Sequence, residues 1–519
     1  MTHVNPFIEE RMRKINELKS SGYDPYPARA YCPTHSAPQV VSKAALLEST
    51  SEPLRLAGRV IARRNMGKAV FFDLFDDGQR LQVYSRQSNL SDRAWGTVEL
   101  VDLGDFLGVE GTVFHTRTGE LTVKCTDMTF LSKACHPIPF PKSCHGRDFN
   151  LINDKGALYR HRHLDLLLNP TSRTVFLKRS RIIRGIRRYL DDEGFIEVET
   201  PVVGLHYGGA AAKPFLTRLN ALDQDMYLRI SPECELKRIL CGGFNKVYEL
   251  GKNFRNEGID ANHNPEFSMC EWYESCSDYQ HQMIRFETLV ARLSEEVNGT
   301  TKLVYRGRPL DLTPPWRRLP ILDAIKDAIG INMLDISVDN LVDVFQKHHP
   351  AGTAALREPL NWGQAVMRLF EALVEPTLWD PVFVMDHPLE NSPLTKRHRD
   401  NTRLVERFEP MIAAMEVGNS YSELNDPVEQ YERLVSQQAT RDEAYDLDED
   451  FVQAMAHGMP QAGGTGLGVD RIVMILTGAE SIRDVVFFPF VSRTEAHEHA
   501  QSHGASVPQE VGTANSSTV

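Results

Sequence analysis

Cysteine is sparse in this chain. Eight of its 519 residues are cysteines, scattered too widely for the disulfide framework that staples small secreted domains. The one grouping with metal-ligating chemistry is Cys135-His136 followed by Cys144-His145. Its spacing matches no common zinc site and prolines interrupt it, so zinc is not expected. Long apolar runs are absent as well. No stretch approaches the roughly 18 residues of a membrane span, and Met1-Thr-His-Val-Asn lacks the basic-then-apolar opening of a secretory leader. A cytoplasmic protein with no membrane partner is therefore expected. Nor is positive charge in excess: Lys and Arg number 58 against 70 Asp and Glu, a net charge of −12. That balance excludes a generally basic nucleic-acid binder but leaves room for a local basic patch, because binding follows local charge. No internal repeat is visible.

What is present is an ordinary soluble composition, 41% apolar and 25% charged, in a chain long enough for two or three domains. Residues 6–22 carry apolar side chains at Phe7, Ile8, Met12, Ile15 and Leu18, a helical spacing ended by Gly22 and then by Pro25 and Pro27. Arg11, Arg13 and Lys14 give this helix a basic face, read first as solvated and second as a contact for a phosphate backbone. From Leu54 to Leu131 the pattern turns to short alternating strands, broken by Met66-Gly67-Lys68, Asp76-Asp77-Gly78 and Thr118-Gly119. Five strands with such turns predict a small barrel of the OB type, whose aromatic and polar face can hold single-stranded nucleic acid. A proline-rich, basic loop from His136 to His163 follows, and mixed helix and strand runs from Asn169 to about Val491. The expected division is a helical extension over 1–50, the barrel over 51–135, a linker over 136–168, a larger domain over 169–491, and a disordered tail over 492–519. His497, His499 and His503 are read as part of that tail rather than as metal ligands.

The most informative stretch runs from Phe254 to Tyr273, FRNEGIDANHNPEFSMCEWY. Arg255 and Glu257 stand two apart, which projects both from one face of a strand, and Glu271 and Tyr273 repeat that spacing on a returning strand. The prediction is a hairpin offering a cation, several carboxylates and a phenol to one pocket. Asn419, Tyr421 and Glu423 fall at i, i+2 and i+4, again one strand face, while Glu233 follows Ser231-Pro232 on a loop-strand segment. Glu409 and Glu416, taken alone, read as two surface glutamates seven apart on a helix. Gly464-Thr-Gly-Leu-Gly-Val-Asp-Arg471 leads into an apolar helix; alone it is a plain strand-to-helix turn. Phe176 to Pro201 reads as a basic amphipathic helix ending at Gly194, then a short strand.

In this order, these segments resemble the three signature motifs of class II aminoacyl-tRNA synthetases. The resemblance implies an α+β protein: an N-terminal OB-fold β-barrel followed by a class II synthetase catalytic domain, an antiparallel sheet flanked by helices. It also implies a homodimer, with the first motif at the interface. The implied chemistry is attack of an amino-acid carboxylate on the α-phosphate of ATP. Two anions must meet, so a fixed cation gains most as charge develops on phosphorus. Arg255 would be that catalytic residue, its planar fork gripping carboxylate and phosphate oxygens at once. Glu257, His263 and Asn264 would hold the adenine end and the γ-phosphate, and Phe267 would lie beneath the adenine ring. Gly466 and Gly468 would let the backbone approach ATP, with Arg471 over the other adenine face. Glu409 and Glu416 would hold Mg2+, up to about three ions per active site, bridging the phosphates.

The runs YGGAAAKPF, MYLRISPE, SPL and NSYSELNDP narrow the resemblance to class II lysyl-tRNA synthetases, over roughly residues 54–490. A lysine pocket must neutralise two ammonium groups and so needs extra carboxylates, whereas an aspartate pocket would need cations that these segments lack. The family implies that Gly209 and Glu233 hold the α-amino group and that Glu423 and Tyr273 hold the ε-ammonium. Glu271 and Asn419 would lie nearby and Tyr421 would line the wall. The barrel would bind the anticodon of a lysine tRNA: Phe71 stacking on a base, Gln82 and Glu120 reading base edges, Arg63 meeting the strand. From the residues alone, Phe71 reads nearly as well as core. The implied function is activation of lysine with ATP to lysyl-adenylate and its transfer to the 3′ end of cognate tRNA. Two alternatives stand beside it. A lysine ligase acting on a protein acceptor is opposed by the barrel. A catalytically inactive tRNA-binding scaffold would be expected to lose Arg255, Glu416, Glu423 or Arg471. The chain departs from the family at Ala413-Ala414-Met415, where glycines and a basic residue are expected, and at Cys234 and Cys270, sites more often aromatic or aliphatic. These departures bear on ATP affinity and pocket shape.

Overall fold

The computed structural model describes residues 6–140, 142–144, 147–149, 154–210, 212–355, 360–438 and 447–491. The tail 492–519 and the side chains of Cys144 and His145 lie outside the described residues. The chain divides into two structural units at Pro170.

In the first unit, five strands close into a barrel: β1 (Leu54–Asn65), β2 (Ala69–Asp76), β3 (Gln79–Arg86), β4 (Phe106–His115) and β5 (Leu121–Ser132), in the order β1-β2-β3-β5-β4. Strand alternation sends Leu56, Phe72, Val83, Val109 and Val123 inward. Asp77 (φ 45°) and Gly78 (φ 83°) turn β2 into β3, two left-handed residues that match the twist of the strands they join. The helix Pro6–Ser20 precedes the barrel; of its basic face Arg13 is exposed as expected, while Arg11 and Lys14 are not. Arg11 is buried and donates to the carbonyls of Ala134 (2.8 Å) and Leu103 (2.9 Å). Lys14 pairs with Asp102 at 2.7 Å, and Arg13 bridges Glu10 and Glu17 on its own helix. Arg11 and Lys14 therefore clamp the helix to its own unit. The loop expected over His136–His163 contains the helix Lys155–Arg160 and the start of Arg162–Leu168. Asp154 caps the first by accepting from the amides of Gly156 and Ala157, which outweighs the loop-like composition.

The second unit is built on a sheet whose path runs β9-β10-β11-β12-β13-β8-β7-β6. In chain order these are β6 (Ile196–Glu197), β7 (Lys246–Phe254), β8 (Glu266–Ser275), β9 (Arg317–Pro320), β10 (Val382–Met385), β11 (Arg407–Ile412), β12 (Gly418–Ser422) and β13 (Ala462–Gly468). Its interior is antiparallel, while the edge pairs β6–β7 and β9–β10 are parallel. One hydrophobic core joins the helices Pro170–Asp192, Tyr279–Asn298 and Val469–Thr477 to the sheet through Tyr248, Cys270, Trp272, Phe408 and Leu467. The intervening residues of the same strands, among them Glu271, Glu409 and Gly466, belong to the opposite face. One face of the sheet thus supplies stability and the other is available for chemistry.

The departure at Ala413-Ala414 has a structural consequence. Ile412 pairs with Met415 across a two-residue turn in which Ala413 (φ 53°) and Ala414 (φ 56°) are both left-handed. That conformation suits glycine, and each alanine is strained by its Cβ. The turn is held by amide hydrogen bonds from Ala413 to Trp379 O (2.8 Å) and from Ala414 to Leu378 O (2.6 Å). Ala413→Gly and Ala414→Gly are each expected to stabilise the unit by roughly 0.5–1 kcal/mol, since relief of strain exceeds the added unfolded-state freedom. Urea unfolding measures this, and an unchanged or lower midpoint in both variants contradicts it.

Candidate active site

The open face of the sheet forms one wall of a cleft of about 990 Å³. Its lining includes every expected binding residue of the larger unit except Glu423, which is fully buried.

At one end, carboxylates converge. Glu233 is the first residue of the helix Glu233–Cys241, not part of a strand; Pro232 precedes that helix and the Ser231 hydroxyl accepts from the Glu233 amide at 3.2 Å. One turn on, the Lys237 ammonium reaches Glu233 at 2.5 Å and Glu423 at 2.5 Å. Sequence reasoning passed over Lys237, although its i, i+4 spacing from Glu233 was a usable signal. Glu271, on β8, accepts from the Ser231 hydroxyl (2.8 Å) and the Tyr273 hydroxyl (3.0 Å). Burial, reinforced by Glu233, pushes its carboxyl up to about 7 against the pull of those two hydroxyls. Glu423 follows β12, and its Oε1 is buried with no donor among the described residues. Burial likewise raises its carboxyl, with Lys237 opposing. Two glycines make room here. A Cβ on Gly209 (φ 81°) would lie 2.7 Å from Ser231 Oγ, and one on Gly464 would lie 2.1 Å from Glu423 Oε1 and 2.3 Å from the Tyr273 ring. Asn419 donates to the Tyr421 hydroxyl at 2.9 Å and accepts from Arg407 at 3.1 Å, so both fall on the cleft face as expected.

At the other end, Arg255, Arg407 and Arg471 stand among carboxylates. Arg255 and Glu257 lie beyond β7 rather than on its face, because the Glu257 amide donates to the Arg255 carbonyl (2.9 Å) in a tight turn that ends the alternation. The Arg255 guanidinium sits 5.1 Å from the Phe267 ring centroid, and its Nε is buried with no acceptor among the described residues. His263 lies between Asp260 (2.8 Å) and Arg471 (3.0 Å). Arginine only donates, so His263 Nε2 accepts and the ring proton belongs on Nδ1, facing Asp260. Asn264 is buried and donates to the Glu266 carbonyl at 2.5 Å. Glu409 lies on β11 beside Arg407 (2.5 Å) and Glu416 on the short strand folded back onto it, 3.3 Å from Arg471. The helical alternative for these two glutamates is thereby excluded. Gly466 and Gly468 line the cleft on β13; a Cβ on Gly466 would approach Met269 Cε at 3.0 Å.

A further set of residues was not foreseen. Arg179, from the helix Pro170–Asp192, pairs with Asp470 at 2.5 Å and donates to Ser268 Oγ at 2.9 Å, while the Ser268 amide donates to Asp470 at 2.7 Å. This buried knot ties the three motif segments together. Cys270 faces the core and Cys234 packs with Leu236, Tyr273 and Leu394; burial raises both thiols, so neither brings reactive chemistry to the cleft.

The barrel carries a separate aromatic row. Phe71 is half-buried, with Tyr84 4.9 Å away and Phe114 6.2 Å beyond it, while the neighbouring Phe72 fills the core. Gln82 accepts from the Thr122 hydroxyl at 2.9 Å, and Glu120 pairs with Arg80. Arg63 is tied to its own backbone through Val101 O (2.7 Å) and Glu99 O (3.3 Å).

Residues 154–492 match the class II tRNA synthetases (D, K and N), and residues 54–131 match the OB-fold nucleic acid binding domain. The chain belongs to the class II tRNA synthetases. Among curated relatives, it is 43% identical over 492 residues to the lysine–tRNA ligase of Carboxydothermus hydrogenoformans, covering 94% of this chain and 98% of that one. It is 43% identical over 495 residues to the lysine–tRNA ligase of Clostridium novyi, covering 95% of each.

Gly464→Ala is expected to destabilise the second unit by about 2 kcal/mol, because the new methyl group must displace Glu423 or Tyr273 from a closed wall. Urea unfolding tests this, and wild-type stability in the variant contradicts the packing described.

Proposed function

We infer that this protein is a lysine–tRNA ligase, which activates lysine with ATP to lysyl-adenylate and transfers the lysine to the 3′ end of its cognate tRNA. The observation that carries the inference is the buried Glu423 Oε1 without a donor, next to Glu233 and Glu271. It marks one end of the cleft as short of cations. The opposite end presents Arg255 and Arg471, where anions would lie. An amino acid with a second ammonium and a triphosphate satisfy the two ends together. The names of the relatives, which match across the barrel and the larger unit alike, support this reading and neither alternative.

In this account Gly209 and Glu233 receive the α-ammonium, and Glu423 and Tyr273 the ε-ammonium, with Glu271 and Asn419 close by and Tyr421 along the stem. Arg255 holds the substrate carboxylate against the α-phosphate and stabilises the charge that develops there. Glu257, His263, Asn264, Phe267, Gly466, Gly468 and Arg471 hold ATP. No side chain acts as nucleophile, because positioning and charge stabilisation suffice. Glu409 and Glu416 fit Mg2+, a hard cation that takes one or two carboxylates and completes its shell with phosphate oxygens and water. Glu371 and Glu375 lie close by: burial, then Glu371, Glu409 and Glu416, push Glu375 up to about 7, the mark of carboxyls crowded together. Bound there, the ion would screen the phosphate charge.

On the barrel, Phe71 stacks on an anticodon base, Gln82 and Glu120 read base edges and Arg63 meets the backbone of the strand. Tyr84 and Phe114 would extend the stacking row. The protein acts as a homodimer; exposed Leu177, Ile196, Val202 and Val203, on and after the first-motif helix, support a covered face. Its domains divide at 1–50, 51–135, 136–168, 169–491 and 492–519. No helix among the described residues is long and apolar enough to cross a membrane, and a cytoplasmic location suits the function.

ATP–pyrophosphate exchange with each amino acid offered singly tests the activation step. Exchange is expected with lysine alone, and Glu423→Gln should lower it about a hundredfold, the worth of one charge-assisted hydrogen bond in a buried site. Glu271 and Glu423 must be ionised to hold ammonium groups and burial raises both, so lysine binding should weaken as pH falls through about 7. Exchange with another amino acid, or lysine binding that strengthens on acidification, contradicts the assignment.

A further inference from the structure

The cluster of carboxylates contains a cation of its own. Lys237 has no exposed surface, and its ammonium bridges Glu233 and Glu423. The helix that carries it is otherwise packed among apolar side chains, through Leu236 and Leu240 against Val247, Leu394 and Phe451. The charged and titratable groups that face the bridge are Glu233 and Cys234 on its own helix, Glu271 and Tyr273 on β8, Tyr421 on β12 and Glu423 just beyond it. Arg255 acts on Glu271 from the loop after β7. With its three carboxyls ionised against one ammonium, this end is two positive charges short, the number a lysine carries on its two nitrogens.

We propose that Lys237 is a positioning residue for the amino-acid substrate: its fixed ammonium holds Glu233 and Glu423 ionised in one frame, which sets the pH range over which a diammonium ligand binds. The proposal rests on the lysine reading of the site. Glu233 and Lys237 are one helical turn apart, so the helix itself fixes the near end of the bridge. Two buried carboxylates brought together without a cation would repel, and one would take up a proton. Burial alone would drive the proton off Lys237, but Glu233 and Glu423 outweigh that and keep it charged.

The test is ATP–pyrophosphate exchange with lysine by the full chain, from about pH 6 to about pH 9, in the wild type and in Lys237→Met and Lys237→Arg. In the Met variant, KM for lysine should rise at least about tenfold while kcat changes less than about threefold, and the acid limb of kcat/KM should move up by about one pH unit. The Arg variant keeps the charge, so its limb should stay within about 0.3 unit of the wild type even where its bulk raises KM. An unmoved limb in the Met variant, or a limb displaced in the Arg variant, overturns the proposal. Because removing one partner of a buried ion pair can leave a chain unfolded, the Arg variant decides alone if the Met variant yields no folded protein. A wild type inactive with lysine overturns the lysine reading, and the proposal falls with it.

Discussion

Taking a carboxylate out of water costs several kcal/mol unless cations or donors replace the lost hydration. The second unit does this at Glu233, Glu271 and Glu423, all buried within one region of the fold. Some of the compensation is internal: Lys237 for Glu233 and Glu423, and the hydroxyls of Ser231 and Tyr273 for Glu271. The remainder is left open at Glu423 Oε1. In the proposed function, a ligand that brings positive charge completes this site, and the deficit is the source of its selectivity.

The sheet makes such an arrangement affordable. On β8, Cys270 and Trp272 enter the hydrophobic core while Glu271 and Tyr273 reach the cleft end. The apolar face supplies the stability, so the other can hold groups that weaken the fold. The knot of Arg179, Ser268 and Asp470 fixes the elements against one another at the point where Arg255 and Phe267 emerge. Rigid placement matters because the proposed reaction relies on position rather than on a covalent side-chain intermediate.

Much of this was legible in the sequence where one period governs a whole segment. The barrel strands outside their bulges, the returning strand with Glu271 and Tyr273, and the pair Asn419 and Tyr421 all follow alternation. What the pattern missed was decided locally. A tight turn at Arg255–Glu257 ends β7 early, Pro232 and Ser231 start a helix at Glu233, and a two-residue turn puts Glu409 and Glu416 on paired strands where a spacing of seven also fits a helix. Arg11 and Lys14 looked solvated because their partners, the carbonyls of Leu103 and Ala134 and the carboxylate of Asp102, are remote in sequence. Arg179, and the Glu423 half of the Lys237 bridge, were hidden for the same reason. An isolated basic residue on a helix carries no sign of a carboxylate that arrives from far along the chain.

The central claim is that lysine supplies the positive charge this site lacks. Its most direct test is calorimetry of lysine binding to the full chain at pH 7, repeated in buffers of different ionisation enthalpy. The arriving ammonium groups should drive raised carboxylates such as Glu271 to ionise, releasing about one proton per site. No proton release, or net uptake, would mean that lysine does not drive the raised carboxyls to ionise, and that its ammonium groups do not supply the charge these buried groups lack.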